Sequence, residues 1–324
     1  MNSGTSFIHF CQTGSLKLIT DVTIGSVSGV IQVKGDSLKR IALEGGVQMK
    51  DWNFISNNMA SLEITPNNVT FQYRGEASVT FFKVGLLGMV SQRMVLDKKT
   101  MSLDGDISAI FRVYSGTNLA VYTPESSDYM DVEAQGRFNY HIGLDANYIQ
   151  GYARAKLEFG GIGVEGEGAF FFGFNAPVSK IYALDSIVKG SKVSDILTNR
   201  GFKNLSGFYV AGSFSYQKSI YIISGGIKMW AGFGFFLQDT NVAFVGHGGL
   251  QVHGELFGGF IYASAWVDLL AAAKFNLVPT NLTDFDFCMQ GTLGIEACFI
   301  LWCVDIETTV HINKYGLLLP DGCD

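Results

Sequence analysis

The sequence predicts an all-β protein: an extended antiparallel β-sheet array of tandem strand units, sandwich- or solenoid-like, with one short helical insertion near residues 179–200. Three observations carry this. A pattern of two apolar residues and a small one at alternate positions recurs as Ile162, Val164, Gly166; Phe208, Val210, Gly212; Leu250, Val252, Gly254; and Leu293, Ile295, Ala297. Successive copies lie 46, 42 and 43 residues apart, and even spacing of one strand type marks units that pack on their neighbours. Turn signals interrupt short alternating runs about every 8–12 residues, the spacing of an all-β chain. All five prolines, Pro66, Pro124, Pro177, Pro279 and Pro320, fall at expected strand ends or loops, because proline cannot donate to a ladder.

In the N-terminal part, Leu16, Leu18, Val22 and Ile24 share one parity while Lys17, Asp21 and Thr23 take the other, the period-two pattern of a half-buried strand. Lys34-Gly35-Asp36 reads as a turn, followed by strands at 41–43, 47–49 and 52–54. Pro66-Asn67-Asn68 turns between strands at 62–64 and 69–73. Asp97-Lys98-Lys99 reads as a hairpin tip between 94–96 and 101–103. Asp104-Gly105-Asp106 reads as a further turn before Ile107, Ala109, Phe111 and Val113. The polar run from Pro124 to Asp131 then divides a β segment, residues 1–123, from a tandem β-repeat region, residues 132–324.

In the second region the strands lengthen. Phe138, Tyr140, Ile142 and Leu144 alternate, as do Ala153, Ala155, Leu157 and Phe159. Ile162, Val164, Phe170, Phe172 and Phe174 line one side of the next strand, with glycines and Glu165 and Glu167 on the other. Glycine at this density weakens a strand and marks close approach of a neighbour, expected here to be aromatic rings of an adjoining layer. Leu184, Ile187 and Val188 stand at helical spacing before Gly190. Ser191 or Ser194 starts a second short helix that holds Ile196 and Leu197 and stops at Gly201. This insertion is expected to cap an edge or end of the sheet. The run Leu256–Ala273 is barely long enough to span a bilayer as a helix. Its interior Asp268 and its aromatics favour strands instead. Trp230, Trp266 and Trp302, each 36 residues apart, echo the repetition.

Composition narrows function. Charged residues are 16% of the 324 residues, against about 25% in ordinary soluble domains, and the mean hydropathy is +0.23. Such a chain must hide surface in a core, against other subunits or against lipid. A net charge of −6 argues against a nucleic-acid partner, which wants a basic face. Residues 1–7 carry no basic-then-apolar succession of a secretory leader.

Few residues point to chemistry. His247, Gln251, His253 and Glu255 share a strand face, and His253 and Glu255 stand ~7 Å apart, two strand rises. They are the metal or acid–base candidates; the competing reading is a solvated polar face opposite Leu250, Val252 and Leu256. Glu165 and Glu167 form a carboxylate pair, more often solvent surface than a glycosidase site. Asp104/Asp106 and Asp284/Asp286 are D-x-D pairs without the further ligands calcium needs. No catalytic residue or cofactor is predicted. Cys288, Cys298, Cys303 and Cys323 crowd the C-terminal end; they form one or two disulfides in an oxidising compartment, or remain buried thiols. Sequons at Asn68, Asn204 and Asn281 stand beside turn signals. Cysteines and sequons together lean to an extracellular or cell-surface protein. The leading functional expectation is a non-enzymatic structural subunit of a filament, sheath or coat, self-associating through Gly/Phe-rich sheet faces. The alternatives are a lipid- or membrane-binding β protein, with a hydrophobic groove or pore-forming sheet, and a carbohydrate-binding or carbohydrate-active one.

Overall fold

The computed structural model describes residues 5–13, 16–17, 21–34, 37–50, 54–81, 84–115, 131–187, 192–277, 285–300, 302–313 and 316–318. The protein is all-β and antiparallel throughout, with one short helical insertion. It divides into two compact units, Met1–Asp145 and Ala146–Asp324.

The first unit is an up-and-down sheet. Its strands are β1 (Thr5–Thr13), β2 (Leu16–Lys17), β3 (Asp21–Lys34), β4 (Ser37–Lys50), β5 (Phe54–Ile64), β6 (Asn68–Phe81), β7 (Val84–Asp97), β8 (Ser102–Ser115) and β9 (Asp131–Ile142). β1 and β2 lie end to end along the same side of β3, and from there each strand pairs with the next. The strands are longer than the sequence suggested. The separate runs at 41–43 and 47–49 are one strand, β4, continuous through Gly45 and Gly46. Asp104-Gly105-Asp106 is not a turn but lies inside β8. Asp104 meets His141 Nδ1 at 2.6 Å and Asp106 pairs with Arg137. The Tyr140 ring lies where a Cβ at Gly105 would go. Cross-strand partners satisfy both carboxylates, so nothing forces the chain to turn. The hairpin tip at Asp97 is as expected: its carboxylate accepts from the backbone N–H of Lys99 (2.7 Å) and Thr100 (3.1 Å).

The second unit is also a meander: β10 (Asn147–Phe159), β11 (Ile162–Pro177), β12 (Asn204–Ile220), β13 (Ile223–Gln238), β14 (Asn241–Leu256), β15 (Ile261–Asn276), β16 (Asp286–Phe299), β17 (Trp302–Asn313) and β18 (Gly316–Leu318). Each strand pairs with the one before and after it. This explains the near-even spacing of the repeated pattern. The copies at 208, 250 and 293 sit on alternate strands, β12, β14 and β16, so 42–43 residues is two strands and two turns. The 46-residue step from β11 to β12 joins adjacent strands and is filled by the insertion.

That insertion is a strap from Val178 to Lys203. It opens with 3-10 turns at Val178–Lys180 and Tyr182–Leu184 and closes with α1 (Val193–Asn199). Of the helix expected from Leu184, Ile187 and Val188, the described residues show only the second of these turns, ending at Leu184, and Val188 lies outside the described residues. Gly201 takes the left-handed φ of +81° that ends α1. A register shift between Gly173 and Ala176, with Asn175 at φ 53°, turns the chain out of β11 into the strap. The strap does not cap an edge. It lies on one face of the sheet, where Leu184, Val193, Leu197 and Phe202 pack with Phe171, Tyr209, Phe236, Val245 and Leu270 into the core.

Candidate functional site: the strap face of the second unit

Directly paired residues of an antiparallel ladder point to the same face, so the register of β10–β17 sorts every side chain. On the strap face one row reads Arg154, Glu167, Ser213, Trp230, Gly249, Asp268, Thr292, Thr309. On the open face another reads Leu157, Val164, Tyr216, Ile227, Val252, Ala265, Ile295, Ile306. The contrast holds over the half of the strands away from the strap; toward the strap the covered face is apolar as well, with Phe171, Tyr209, Phe236, Val245 and Leu270 in the core. The open positions of β10–β17 carry one charged residue, Lys218.

Burial runs opposite to the usual rule. The expected polar skin of β14 is the covered side: His247 is 6% exposed and Gln251 9%. The bulky apolar side is the bare one. Among the described residues of this unit, 25 large apolar side chains on the open face are exposed, including Phe172 at 63% and Trp302 at 82%. Phe208, Phe233, Phe235, Phe244 and Phe275 form a chain of ring contacts, with centroids 5.0–6.4 Å apart, toward one end of the open face.

Away from the strap, this face carries a network of hydrogen-bonded polar groups. Arg154 donates twice to Glu165, at 2.8 and 2.9 Å. Glu167 accepts from Tyr152 (2.7 Å), Ser213 (2.6 Å) and Lys228 (3.1 Å). Trp230 Nε1 donates to Asp268 at 2.9 Å, and Gln251 Nε2 to Ser264 at 2.8 Å. Ser224 donates to Glu255. Gly161 and Gly163, where rings of another layer were expected, face Ser219 and Gln217 instead, and ring-covered glycines lie elsewhere on this face. A Cβ at Gly249 would run into Trp230, and one at Gly294 into Trp266.

Polar contacts fasten the strap to this face. Gln150 donates to the Lys180 carbonyl at 2.7 Å and accepts from Ala183 N–H. Tyr209 Oη donates to the Leu184 carbonyl at 3.2 Å. The same oxygen lies 2.5 Å from His247 Nε2. Lys274 Nζ donates to the Arg200 carbonyl (2.8 Å), and the Arg200 guanidinium lies 3.1 Å from Asp286. Burial holds the Arg200 side chain below the ordinary guanidinium range, with Asp286 opposing the shift. Gln238 accepts from the N–H of Lys203 and of Asn204 where the strap rejoins the sheet. Asp185 caps α1 from outside the helix, accepting from Ser194 N–H at 3.1 Å.

The sequence candidates fall out as follows. His247, His253 and Glu255 do share a face, but their partners divide them: Tyr209 for His247, the Tyr262 ring for His253, Ser224 for Glu255. Among the described residues no three His, Cys, Asp or Glu are placed to hold a metal ion. Glu165 and Glu167 are structural ion-pair partners rather than solvent surface. Asp286 pairs with Arg200, and Asp284 lies outside the described residues. Cys298 and Cys303, opposite each other on β16 and β17, form a disulfide, and Cys288 is also disulfide-bonded. Cys323 lies outside the described residues. Asn68 opens β6 and Asn204 opens β12, both half-buried; Asn281 lies outside the described residues. Tyr209, Lys228 and Gln150 were not singled out from sequence, and Asp268 only as a charge inside an apolar run. Their roles depend on which strand lies alongside, which no local spacing encodes.

No protein-family model, no curated protein and no solved structure matches this chain.

Proposed function

We propose that the second unit is a membrane-embedded β-sheet whose open face meets lipid and whose strap face lines a hydrated interior. One observation carries the reading: eight consecutive strands present an exposed apolar face with a single charge, opposite a face that is polar over the half of the strands away from the strap. That is the alternation of a transmembrane β-sheet, apolar toward lipid and polar toward the lumen.

Magnitudes favour lipid over water. Burying one large apolar side chain is worth about 1.5–3 kcal/mol, so 25 of them on the open face, left largely in water, forgo tens of kcal/mol, well above the roughly 5–15 kcal/mol net stability of a domain. Dimensions fit as well. Phe244 to Leu256 on β14 is twelve steps, or ~40 Å at ~3.3 Å each; tilted ~45° this covers ~28 Å, close to the ~30 Å hydrocarbon core. No described helix is long and apolar enough to cross a membrane, so strands would do the crossing. Self-association into a filament or coat, the leading expectation from sequence, would use the same face. Protein interfaces carry about one hydrogen bond per 100–200 Å², and this face offers little beyond Ser206, Tyr216, Lys218 and Thr308 to make them. The Cys298–Cys303 disulfide fits an oxidising compartment.

The test is fractionation of the full chain, followed by alkaline carbonate extraction and vesicle flotation. Retention in the membrane and co-flotation are expected. A lipid-free, detergent-free assembly in solution would sink the reading in favour of the coat subunit. In vesicles, Leu250→Arg, at the middle of the band, should cost about 2–4 kcal/mol in urea unfolding. Gln217→Arg, exposed on the strap face, should cost under ~0.5 kcal/mol.

A further inference from the structure

We infer, resting on that membrane reading, that the strap face passes small cations in preference to anions. The argument is a pairing of charges. On the strap-face positions of β10–β17 the cations are Arg154, Lys156, Lys228 and Lys274. Arg154 is bound to Glu165, Lys156 to Glu158 and Lys228 to Glu167. Lys274 is held over the Phe202 ring and on the Arg200 carbonyl, while Arg200 of the strap neutralises Asp286. The basic side chains of the sheet and Arg200 are thus engaged by the protein. Among the described residues, five carboxylates on the same face have no cation: Glu255, Asp268, Glu296, Asp305 and Glu307. Asp268 is buried under Trp230; the other four belong to the half of the strands away from the strap.

Two of these four are directly opposed. Glu296 on β16 faces Asp305 on β17, and Glu307 follows on the same face. Like charges placed directly opposite each other destabilise a sheet, and no cation among the described residues offsets them. The strap's exposed Lys180, Lys192 and Lys203 belong to a segment that leaves and rejoins the sheet at the other end of the strands. The carboxylates do not converge on a point, as the lack of any three-residue metal-holding group among the described residues shows. The preference is therefore one of field rather than of a binding site. A lining of one charge sign beside low-dielectric walls raises the local concentration of counter-ions, as acidic rings do in cation channels.

The experiment is a planar bilayer of neutral phosphatidylcholine holding the full chain under a potassium chloride gradient. The reversal potential should take the sign of potassium permeation, with a permeability ratio over chloride of several-fold. The ratio should fall toward unity as salt rises from 0.1 M to 1 M, because the Debye length shrinks from about 10 Å to about 3 Å. The triple variant Glu296→Gln, Asp305→Asn, Glu307→Gln should lower the ratio while leaving insertion unchanged, since it removes repulsion rather than contacts. A current without preference, or with chloride preference, overturns the inference. An inserted protein that carries no current also overturns it and leaves the membrane reading standing. Failure to co-float with vesicles overturns both.

Discussion

The two units are made of similar strands, yet among the described residues only the second has a core. Every buried apolar residue described lies at or beyond Ala146; in the first unit the buried side chains described are Ser56, Ser78 and Ser102. The difference is the strap. A single sheet has two faces and nothing to press either against, so even its apolar side chains stay half-exposed. In the second unit, a strap of some two dozen residues laid across one face creates a buried cluster that the strands cannot make alone. The lesson is that in this protein strand alternation decides which groups share a face, while the insertion decides which face is inside.

The sharpest way to break that comparison is to empty the strap's contribution. Phe202 is 1% exposed and sits between Lys274 and the core. Phe202→Ala should cost about 3–5 kcal/mol, the range for deleting a buried aromatic ring. Phe71→Ala, on the half-buried β6 of the first unit, should cost about 1–1.5 kcal/mol, half of a full burial. Urea unfolding followed by hydrogen exchange in each unit reads both. Equal losses would mean that the first unit has a core of its own, and the contrast would fail.

A smaller effect tests how the strap face is packed. Gly249 lies under the Trp230 ring, whose Nε1 is held by Asp268. Gly249→Val should cost about 1–3 kcal/mol by overpacking and should shift the Trp230 fluorescence as the indole loses its carboxylate. Gly246, on the open face of the same strand, has its nearest neighbour at 4.0 Å. Gly246→Val should be close to neutral, or stabilising, since it adds a β-former where the space is free. If the two substitutions behave alike, the assignment of faces is wrong.

These pairs also show what could be read from the chain itself. Alternation in β11, β12, β14 and β16 was plain, because each strand runs long enough for period two to stand out. Which side faced inward was not, because the rule that apolar means inside holds only in water with something to pack against. His247 and Gln251 were placed together correctly but given to solvent. The Trp spacing of 36 residues misled in a related way: Trp230 and Trp266 occupy the strap face, whereas Trp302 is on the open face at the β16–β17 turn. Asp104-Gly105-Asp106 has turn composition, and only its cross-strand partners His141 and Arg137 reveal it as mid-strand. The α1 region was legible through Ser194, Ile196, Leu197 and Gly201. Its docking on the sheet face was not, because that depends on a bulge at Gly173–Ala176 with no one-dimensional signature.

The smallest expected effect belongs to the first unit and concerns pH. Asp97 is exposed at the β7–β8 tip, and its carboxyl is held below the ordinary carboxylate range, chiefly by the backbone N–H of Thr100 and then that of Lys99. A carboxyl whose folded-state pKa lies below its unfolded value binds fewer protons when folded. Its contribution is therefore complete above the unfolded value and is lost as pH falls through the folded one. Asp97→Asn keeps an acceptor for the turn but removes the titration. The variant should lose a little stability at neutral pH and converge with the parent chain once the carboxyl is protonated. Because the group is solvated, the difference should be the least of those proposed and should weaken further in salt. The first unit has no described buried core to dominate its unfolding, so exchange at the Lys99 and Thr100 amides is where the change should register. If those amides protect equally in both proteins at neutral pH, the carboxylate is not holding the tip, and the order of the first unit's hairpins must come from the ladder alone.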